Sequence, residues 1–581
     1  MNDRFVSTKI MVNVPLKMHD GVELMCDVIR PDTADPLPTI LVRTAYLKEH
    51  IYCGDRGPYL INAFEAAARG YNFVVQDARG TGFSGGVCDP SGRQSEDGYD
   101  TVEAIARMPW SNGDVGMVGE SFLGYACLEA ARMNPPHLKC IVPCEAGWLK
   151  NPYFHRYGVP TVGSHGWCYG RAMDRDTRFH EMTQETRDRI RWVQEHEAEL
   201  LLHLPLCDMP QDQVPGVPGL DKYRELLEHI GDDWYLAVIG RDDAFEQVHV
   251  PVMHVTGWLD PEMNTTIYNF CNFRLRGGSA ATRDNMKLIV GPWPHSASLP
   301  GQYGGKNFGP QGSGAGYGVD DKIFAFLDQW MKGITSPFMT GDPVHVFVMG
   351  QNAWKTLRSW PPEQAQAVPY YLHSDGHANT MHGDGTLTEV PPDEETPDSY
   401  IYDPGDPIPT LPRHGESSRF ADQSPIEERS DMLVYTTPAF SEAQTIMGMV
   451  QFHFYAASSA KDTDFAGRLL LVHPDGKTVE INASLLRARY RNGRSPEWLT
   501  PGAVTVFHLD LTNVCLTVPK GYALRLEVSS CLFPLADRNL NTGGKIGFET
   551  QWIVAQQTLF HDVNHPSRLI LPMMPTTEKE A

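Results

Sequence analysis

The 581-residue chain has no run of about 20 apolar residues, so no membrane-spanning helix is expected. Residues 1–21, MNDRFVSTKIMVNVPLKMHDG, lack the charged-then-apolar pattern of an export signal. Basic residues are scarce: 49 Lys and Arg stand against 72 Asp and Glu, a net charge of −23. That balance argues against nucleic acid and anionic membrane surfaces as partners, because both want basic patches. The 11 cysteines are scattered, and the nearest pair, Cys140 and Cys144, has no zinc-site spacing. Reduced thiols in a cytoplasmic protein are the expectation. The histidines show no metal-ligand spacing either, so no metal is expected and His254 reads as a packed strand residue. ARGTGFSGG (78–86) resembles a phosphate-cradling loop but lacks the Lys-Ser/Thr of a P-loop, so it reads as a buried loop with Arg79 in an ion pair, and no cofactor is expected. There is no internal repeat.

What the chain does have is an orderly alternation in its first third. VELMCDVIR (22–30) and TILVRTAY (39–46) read as strands, 62–70 as a helix ending on Gly70, and YNFVVQD as a strand running into the glycine-rich loop. A helix over 95–110, a strand over 113–121, a helix over 122–133 and a strand over 138–147 follow. Alternating strands and helices predict a doubly wound, mostly parallel sheet. Helical patterns over 175–204 and 221–230, separated by a Pro-rich loop, read as an insertion; strands over 250–260 and 286–295 and a helix over 321–333 then complete the sheet. After about residue 340 helical periodicity fades, and short strands recur between turns such as PDGK (474–477). This half reads as an all-β sandwich of jelly-roll type, with long loops over 375–430. A chain of this length exceeds one hydrophobic core, and the expected division is 1–147, an inserted helical cap over 148–245, 246–340, and a β domain over 341–581.

One short stretch carries chemistry. VGESFLG (118–124) approaches the nucleophile-elbow pattern G-x-S-x-G, with Gly119 and Ser121 in place, but the last glycine comes one residue late, at Gly124. Ser121 stands where a strand turns into a helix, as an elbow requires, and a large residue at 119 would clash there. Gly124 lies one turn into the helix, where it can let that helix sit close on the sheet. An acid and a base should follow the serine, each just past a strand end, in the order Ser, Asp, His. Asp260 ends VPVMHVTGWLD and His295 follows MKLIVGPWPH. Each has a plain structural reading: Asp260 followed by Pro261 is a good helix N-cap, and His295 is one of 22 histidines. Taken together and in order, they fit a nucleophile, a proton-accepting imidazole and an orienting carboxylate. The N–H of Phe122 and the phenol of Tyr46 are candidate oxyanion donors, although Tyr46 also reads as a core tyrosine.

RTAY, QDARGTGFSGG, WSNGDVGMVGESFLG, GWLDPE and GPWPH resemble the motif blocks of the cocaine esterase and X-prolyl dipeptidyl-peptidase family, which includes α-amino-acid ester hydrolases and glutaryl-cephalosporin acylases. In that family the nucleophile motif is G-x-S-Y-x-G, so the displaced glycine is shared, and Phe122 replaces the usual Tyr. The resemblance runs over nearly the whole chain. It implies an α/β-hydrolase domain with an inserted helical cap and a C-terminal jelly roll. It also implies Ser121 as nucleophile, His295 as base, Asp260 as its orienter, and Tyr46 with the Phe122 N–H as oxyanion hole.

The expected reaction is cleavage of a small-molecule ester or amide through an acyl-enzyme, with an apolar or aromatic acyl group, as in a cocaine-esterase-like carboxylesterase. Trp148 and Phe154, in an aromatic cluster with Tyr153, His155, Trp167 and Tyr169, are candidate walls of the acyl pocket. Glu262 is a candidate contact for a substrate ammonium, as an α-amino-acid ester hydrolase or X-prolyl peptidase would need. Met263, however, stands where a second carboxylate is expected, and one carboxylate alone also reads as a cap on a helix N-terminus. Acyl transfer and a catalytically inactive binding protein are the remaining alternatives. The jelly roll is expected to close one wall of the pocket and to help in self-association, giving a homo-oligomer.

Overall fold

The computed structural model describes residues 7–53, 61–87, 93–148, 183–196, 200–209, 221–230, 244–296, 298–410, 420–493 and 495–575. Ten strands form the first sheet: β1 (Thr8–Lys17), β2 (Glu23–Pro31), β3 (Leu37–Thr44), β4 (Asn72–Asp77), β5 (Ser111–Glu120), β6 (Leu138–Cys144), β7 (Met253–Leu259), β8 (Lys287–Pro294), β9 (Val344–Val348) and β10 (Ala353–Leu357). Their order is β1-β2-β4-β3-β5-β6-β7-β8-β9-β10. Pairing is parallel from β4 through β9 and antiparallel at both edges. The central strands are apolar at successive positions because both faces are covered. Leu41, Val74, Val115 and Met117 pack on one face with Val102, Ile105, Leu128, Ile267 and Phe270 of the helices Gln94–Ala106, Phe122–Arg132 and Met263–Arg276. Ile40, Val42, Phe73 and Val75 pack on the other, with Ala66 of Ala63–Ala68 and Ile323, Phe324 and Leu327 of Val319–Lys332. Each such side chain taken fully out of water contributes about 1.5–3 kcal/mol, which makes this centre a rigid base for whatever sits at its strand ends.

Four elements depart from expectation. β1 is one; it is an edge strand with Ile10 and Val12 exposed and Met11, Val14 and Leu16 against the core, and a bulge between Met11 and Val14 breaks the alternation that would have marked it. VHVFVMG, expected in the second half, joins the first sheet as β9, parallel to β8. Within the span expected as loops, Thr386–Thr388 and Asp398–Tyr402 are short strands.

The C-terminal half is all-β, as the strand-and-turn pattern indicated. Its eleven strands, from Gln366–His373 to Arg568–Met573, pair antiparallel except where Thr386–Thr388 meets Leu433–Thr436. They enclose one core that includes Phe452, Phe454, Phe507, Leu526 and Leu569. The two halves are joined by more than the chain. Met447 and Cys515 of the β domain lie in the same cluster as Val346 and Val348 of β9. Met349 donates its N–H to the Cys515 carbonyl (2.9 Å) and accepts from the Thr517 N–H (2.8 Å). Asn264, in the helix after β7, accepts the Asn513 N–H at 2.8 Å.

The described part of the insertion is helical: Gln184–Glu195 within the expected 175–204, a short turn at Leu206–Asp208, and Asp221–Glu228. Leu206, Cys207, Met209 and Leu227 pack together there with Phe548 of the β domain. Among the described residues no helix is long and apolar enough to cross a membrane. The described cysteines are free, Cys140 and Cys144 among them.

Candidate active site

Ser121, Glu145, Asp260 and His295 share one structural address. Each is the first residue past its strand, after β5, β6, β7 and β8 respectively. These four strands are parallel neighbours, so the residues meet along one edge of the sheet.

At Ser121 the backbone takes φ 57° and ψ −124°, a conformation a non-glycine residue holds only at a cost of about 1–3 kcal/mol. The surroundings enforce it. The Ser121 N–H donates to the Cys144 carbonyl at 2.9 Å, and the Ser121 carbonyl accepts the Tyr125 N–H at 3.0 Å as the helix starts. A Cβ on Gly119 would lie 2.3 Å from the Leu123 carbonyl carbon, so only glycine fits. A Cβ on Gly124 would lie 2.6 Å from Ala146 Cβ and 2.9 Å from the Gly119 carbonyl oxygen. The late glycine therefore lets the helix approach the end of β6, which is the task inferred for it from the sequence.

His295 and Asp260 are brought together: Nδ1 lies 2.8 Å from Asp260 Oδ1. Asp260 is buried, and its other oxygen accepts the Thr256 hydroxyl at 2.7 Å. Asp260 Oδ1 also accepts the Glu262 N–H at 2.9 Å, but the N-cap of the following helix is Glu262 and not Asp260. Burial disfavours an imidazolium, but the charge and hydrogen bond of Asp260, reinforced by Glu120 and Glu262, outweigh it and raise the His295 pKa to about 9. Glu262 occupies the N-cap position of Met263–Arg276, buried beside Asp260, and its side chain makes no capping hydrogen bond.

Tyr46 follows β3, and its ring meets that of Phe122 edge-on at 6.3 Å, next to Ser121. The chain after Tyr46 is pinned by the glycine-rich loop. Lys48 donates its N–H to Asp77 Oδ1 (2.8 Å), and Phe83 donates its N–H to Oδ2 (3.1 Å). Gly82 comes so close that a Cβ there would lie 2.2 Å from Asp77 Oδ2. The anion in this loop is thus the protein's own carboxylate. Arg79 forms the expected ion pair, with Nε 2.9 Å from Asp97 and Nη1 2.8 Å from Asp20.

Trp148 is not where a pocket wall would put it. It is buried in the core, stacked on Phe273 at 5.6 Å and edge-on to Phe245 at 5.5 Å, with its N–H donating to Glu129 at 2.7 Å. Tyr153, Phe154, His155, Trp167 and Tyr169 lie outside the described residues.

Two residues not singled out in the sequence complete the arrangement. Glu145 is fully buried, with Oε2 accepting the Ser296 N–H at 2.8 Å and lying 3.7 Å from His295 Nδ1. Glu120 immediately precedes the serine. Burial, the charges of Asp260 and Glu120, and a hydrogen bond to Glu120 push the Glu145 carboxyl well above the usual range. The signal for Glu145 was the same one that marks Asp260, a carboxylate just past a strand end. Glu120, Glu145 and His295 bring donor atoms within 4.8 Å of one another. The Asp260 and Ser296 contacts already made there fit a charge arrangement around the imidazole better than a metal centre.

Comparison with known proteins places the chain in a family. Residues 20–297 match the X-Pro dipeptidyl-peptidase (S15) family, and residues 337–570 match the X-Pro dipeptidyl-peptidase C-terminal non-catalytic domain. In solved structures, an α-amino acid ester hydrolase superposes with a TM-score of 0.81 at 23% identity, over 99% of this chain and 98% of the other. An aminopeptidase from the marine sediment archaeon Thaumarchaeota archaeon gives 0.79 at 22% identity, over 99% of both. At those identities the likeness is one of fold. The cocaine esterase of Rhodococcus sp. (strain MB1 Bresler) is 30% identical across 97% of this chain and 98% of its own. The chain therefore belongs to the family of serine hydrolases that joins cocaine esterase to the X-Pro dipeptidyl-peptidases.

Proposed function

We propose that the protein is a carboxylesterase that cleaves a small ester, or an amide, through an acyl-enzyme on Ser121. The observation that supports this most directly is the 2.8 Å contact between His295 Nδ1 and Asp260, made along the same sheet edge as the strained Ser121 turn. In this reading His295 takes the Ser121 proton as Oγ attacks the acyl carbonyl. Asp260 holds the imidazole in the tautomer whose Nε2 can accept that proton, and stabilises the cation that results. The negative charge developing on the carbonyl oxygen is met by the Phe122 N–H and the Tyr46 phenol. The proton then passes from His295 to the leaving alcohol or amine, and water repeats the sequence to release the acid.

A second reading is favoured by one feature. Glu120 and Glu262 add carboxyl groups beside Asp260 around His295, and such a concentration of negative charge attracts a cation. That suits a substrate with a free α-amino group. Matched esters separate the two: phenylacetic acid methyl ester and phenylglycine methyl ester differ only in that amine. A carboxylesterase hydrolyses the first at least as well as the second, whereas strong preference for the second assigns an ammonium site. Ser121→Ala should abolish both rates and labelling by a fluorophosphonate. If it does neither, the nucleophile is misassigned.

A further inference from the structure

Two buried carboxyl groups face one imidazole nitrogen. Asp260 Oδ1 is 2.8 Å from His295 Nδ1, and Glu145 Oε2 is 3.7 Å from the same atom. They approach from neighbouring strand ends, after β7 and β6. We propose that Glu145 is a second positioning residue for His295, held in reserve, which takes over the Nδ1–H when Asp260 is absent.

The case begins with the backbone. Glu145 has φ 44°, a left-handed conformation that a β-carbon disfavours. It is kept there by its own N–H, which donates to the Val255 carbonyl of β7 at 2.7 Å. The side chain is thereby aimed under the loop that carries His295. Its Oε2 accepts from Ser296, the next residue after the histidine, so carboxyl group and imidazole ride on the same anchor. Closing the remaining gap takes a shift of about 0.9 Å (3.7 − 2.8), within the reach of small side-chain rotations.

Charge explains why only one carboxylate serves at a time. Two carboxyl groups sharing a site do not both ionise, and the proton settles on one of them. Facing Glu145 are Glu120 at the end of β5, Asp260 just past β7 and His295 just past β8, with the buried Cys144 beside it, and Glu262 acts on the same imidazole. With Asp260 ionised, Glu145 keeps its proton. Neutralising Asp260 removes the largest of the opposing charges, and Glu145 can then ionise and hold the imidazole.

This inference rests on the reading of Ser121, His295 and Asp260 given above. It is tested with four variants: Ser121→Ala, Asp260→Asn, Glu145→Gln and the double Asp260→Asn/Glu145→Gln, with thermal melts to establish that each is folded. The expected result is that Glu145→Gln costs at least about tenfold more in kcat/KM in the Asp260→Asn background than in the parent. The pH profile gives a readout that simple anchoring of Ser296 would not move. In Asp260→Asn the acid limb should stay above that of the double variant, because an ionised Glu145 still favours the imidazolium. If the double variant matches Asp260→Asn in both rate and limb, or if the two substitutions are additive, the reserve role is wrong. If Asp260→Asn does not fold, Asp260→Ser carries the same comparison. If Ser121→Ala retains activity, it is the underlying triad reading that fails.

Discussion

Replacing Gly124 by Ala tests whether the late glycine matters for the reason the structure gives. Two effects oppose each other. Alanine is the better helix former by about 1 kcal/mol, so on propensity alone the change stabilises. Against that, the new methyl would sit 2.6 Å from Ala146 Cβ, 2.9 Å from the Gly119 oxygen and 3.2 Å from the Cys144 nitrogen. Two of these three neighbours are backbone atoms, and the third is a fully buried alanine, so none is the free end of a flexible side chain. Relieving the overlaps needs the helix to lift by somewhat under 1 Å, and overpacking of this kind costs about 1–3 kcal/mol. The net expectation is a loss of up to about 2 kcal/mol in urea unfolding. The activity loss should be larger in proportion. Ser121 and the Phe122 N–H lie at the start of the displaced helix, and a misplacement near 1 Å at reacting groups costs about 100-fold. The assay is single-turnover acylation by a chromogenic ester alongside the unfolding curves. Ala146→Gly in the same chain removes the closest overlap and should restore part of both. If Gly124→Ala stabilises the fold or leaves acylation unchanged, or if Ala146→Gly does not help it, the close-approach account is refuted.

The acid limb of kcat/KM should lie above the ordinary histidine value, towards 9, because Asp260, Glu120 and Glu262 favour the imidazolium and only the neutral ring can take the Ser121 proton; activity is lost as pH falls through it. Glu262→Gln should move that limb down, and an unmoved limb would place the field elsewhere. Asp97→Asn should cost about 1–3 kcal/mol in denaturant unfolding, since it takes the buried carboxylate from Arg79, which then keeps Asp20 as its partner. His254 is fully buried, and burial pushes its pKa down to about 3. It is therefore neutral in the fold and takes up a proton only on unfolding, so its contribution is whole above about pH 6.5 and is lost as pH falls from there. At pH 5 the loss is about 2 kcal/mol. His254→Leu should remove that part of the acid sensitivity, read from unfolding curves at pH 5 and 7.

The sequence disclosed most where one local rule settles the outcome. The strands of the central sheet are apolar throughout because both their faces are covered, and each functional residue is marked by the strand that ends just before it. Ser121, Asp260 and His295 are candidates on that rule joined to the elbow pattern and the order Ser, Asp, His. Glu145 obeys it equally, but a carboxylate after CIVPC has many uses, and only β7 and the His295 loop, far away in the chain, give it a neighbour. Trp148 shows the opposite error. An aromatic run beside an insertion does not reveal which way each ring turns; Phe245 and Phe273, about 100 or more residues later, draw this one into the core. For β9, the residues specify a buried strand but not which sheet receives it, because VHVFV would satisfy either.

The seam between the halves has a thermodynamic consequence. β9 and the β-domain residues Met447 and Cys515 share one apolar cluster, and Asn513 grips Asn264 a single turn beyond Asp260. Melting either half would strip water-excluding cover from the other. The boundary that composition draws near residue 340 is therefore not a line of weakness: the molecule should lose its structure in one cooperative event, and the carboxylate behind His295 should be only as steady as the sheet on the far side of that seam.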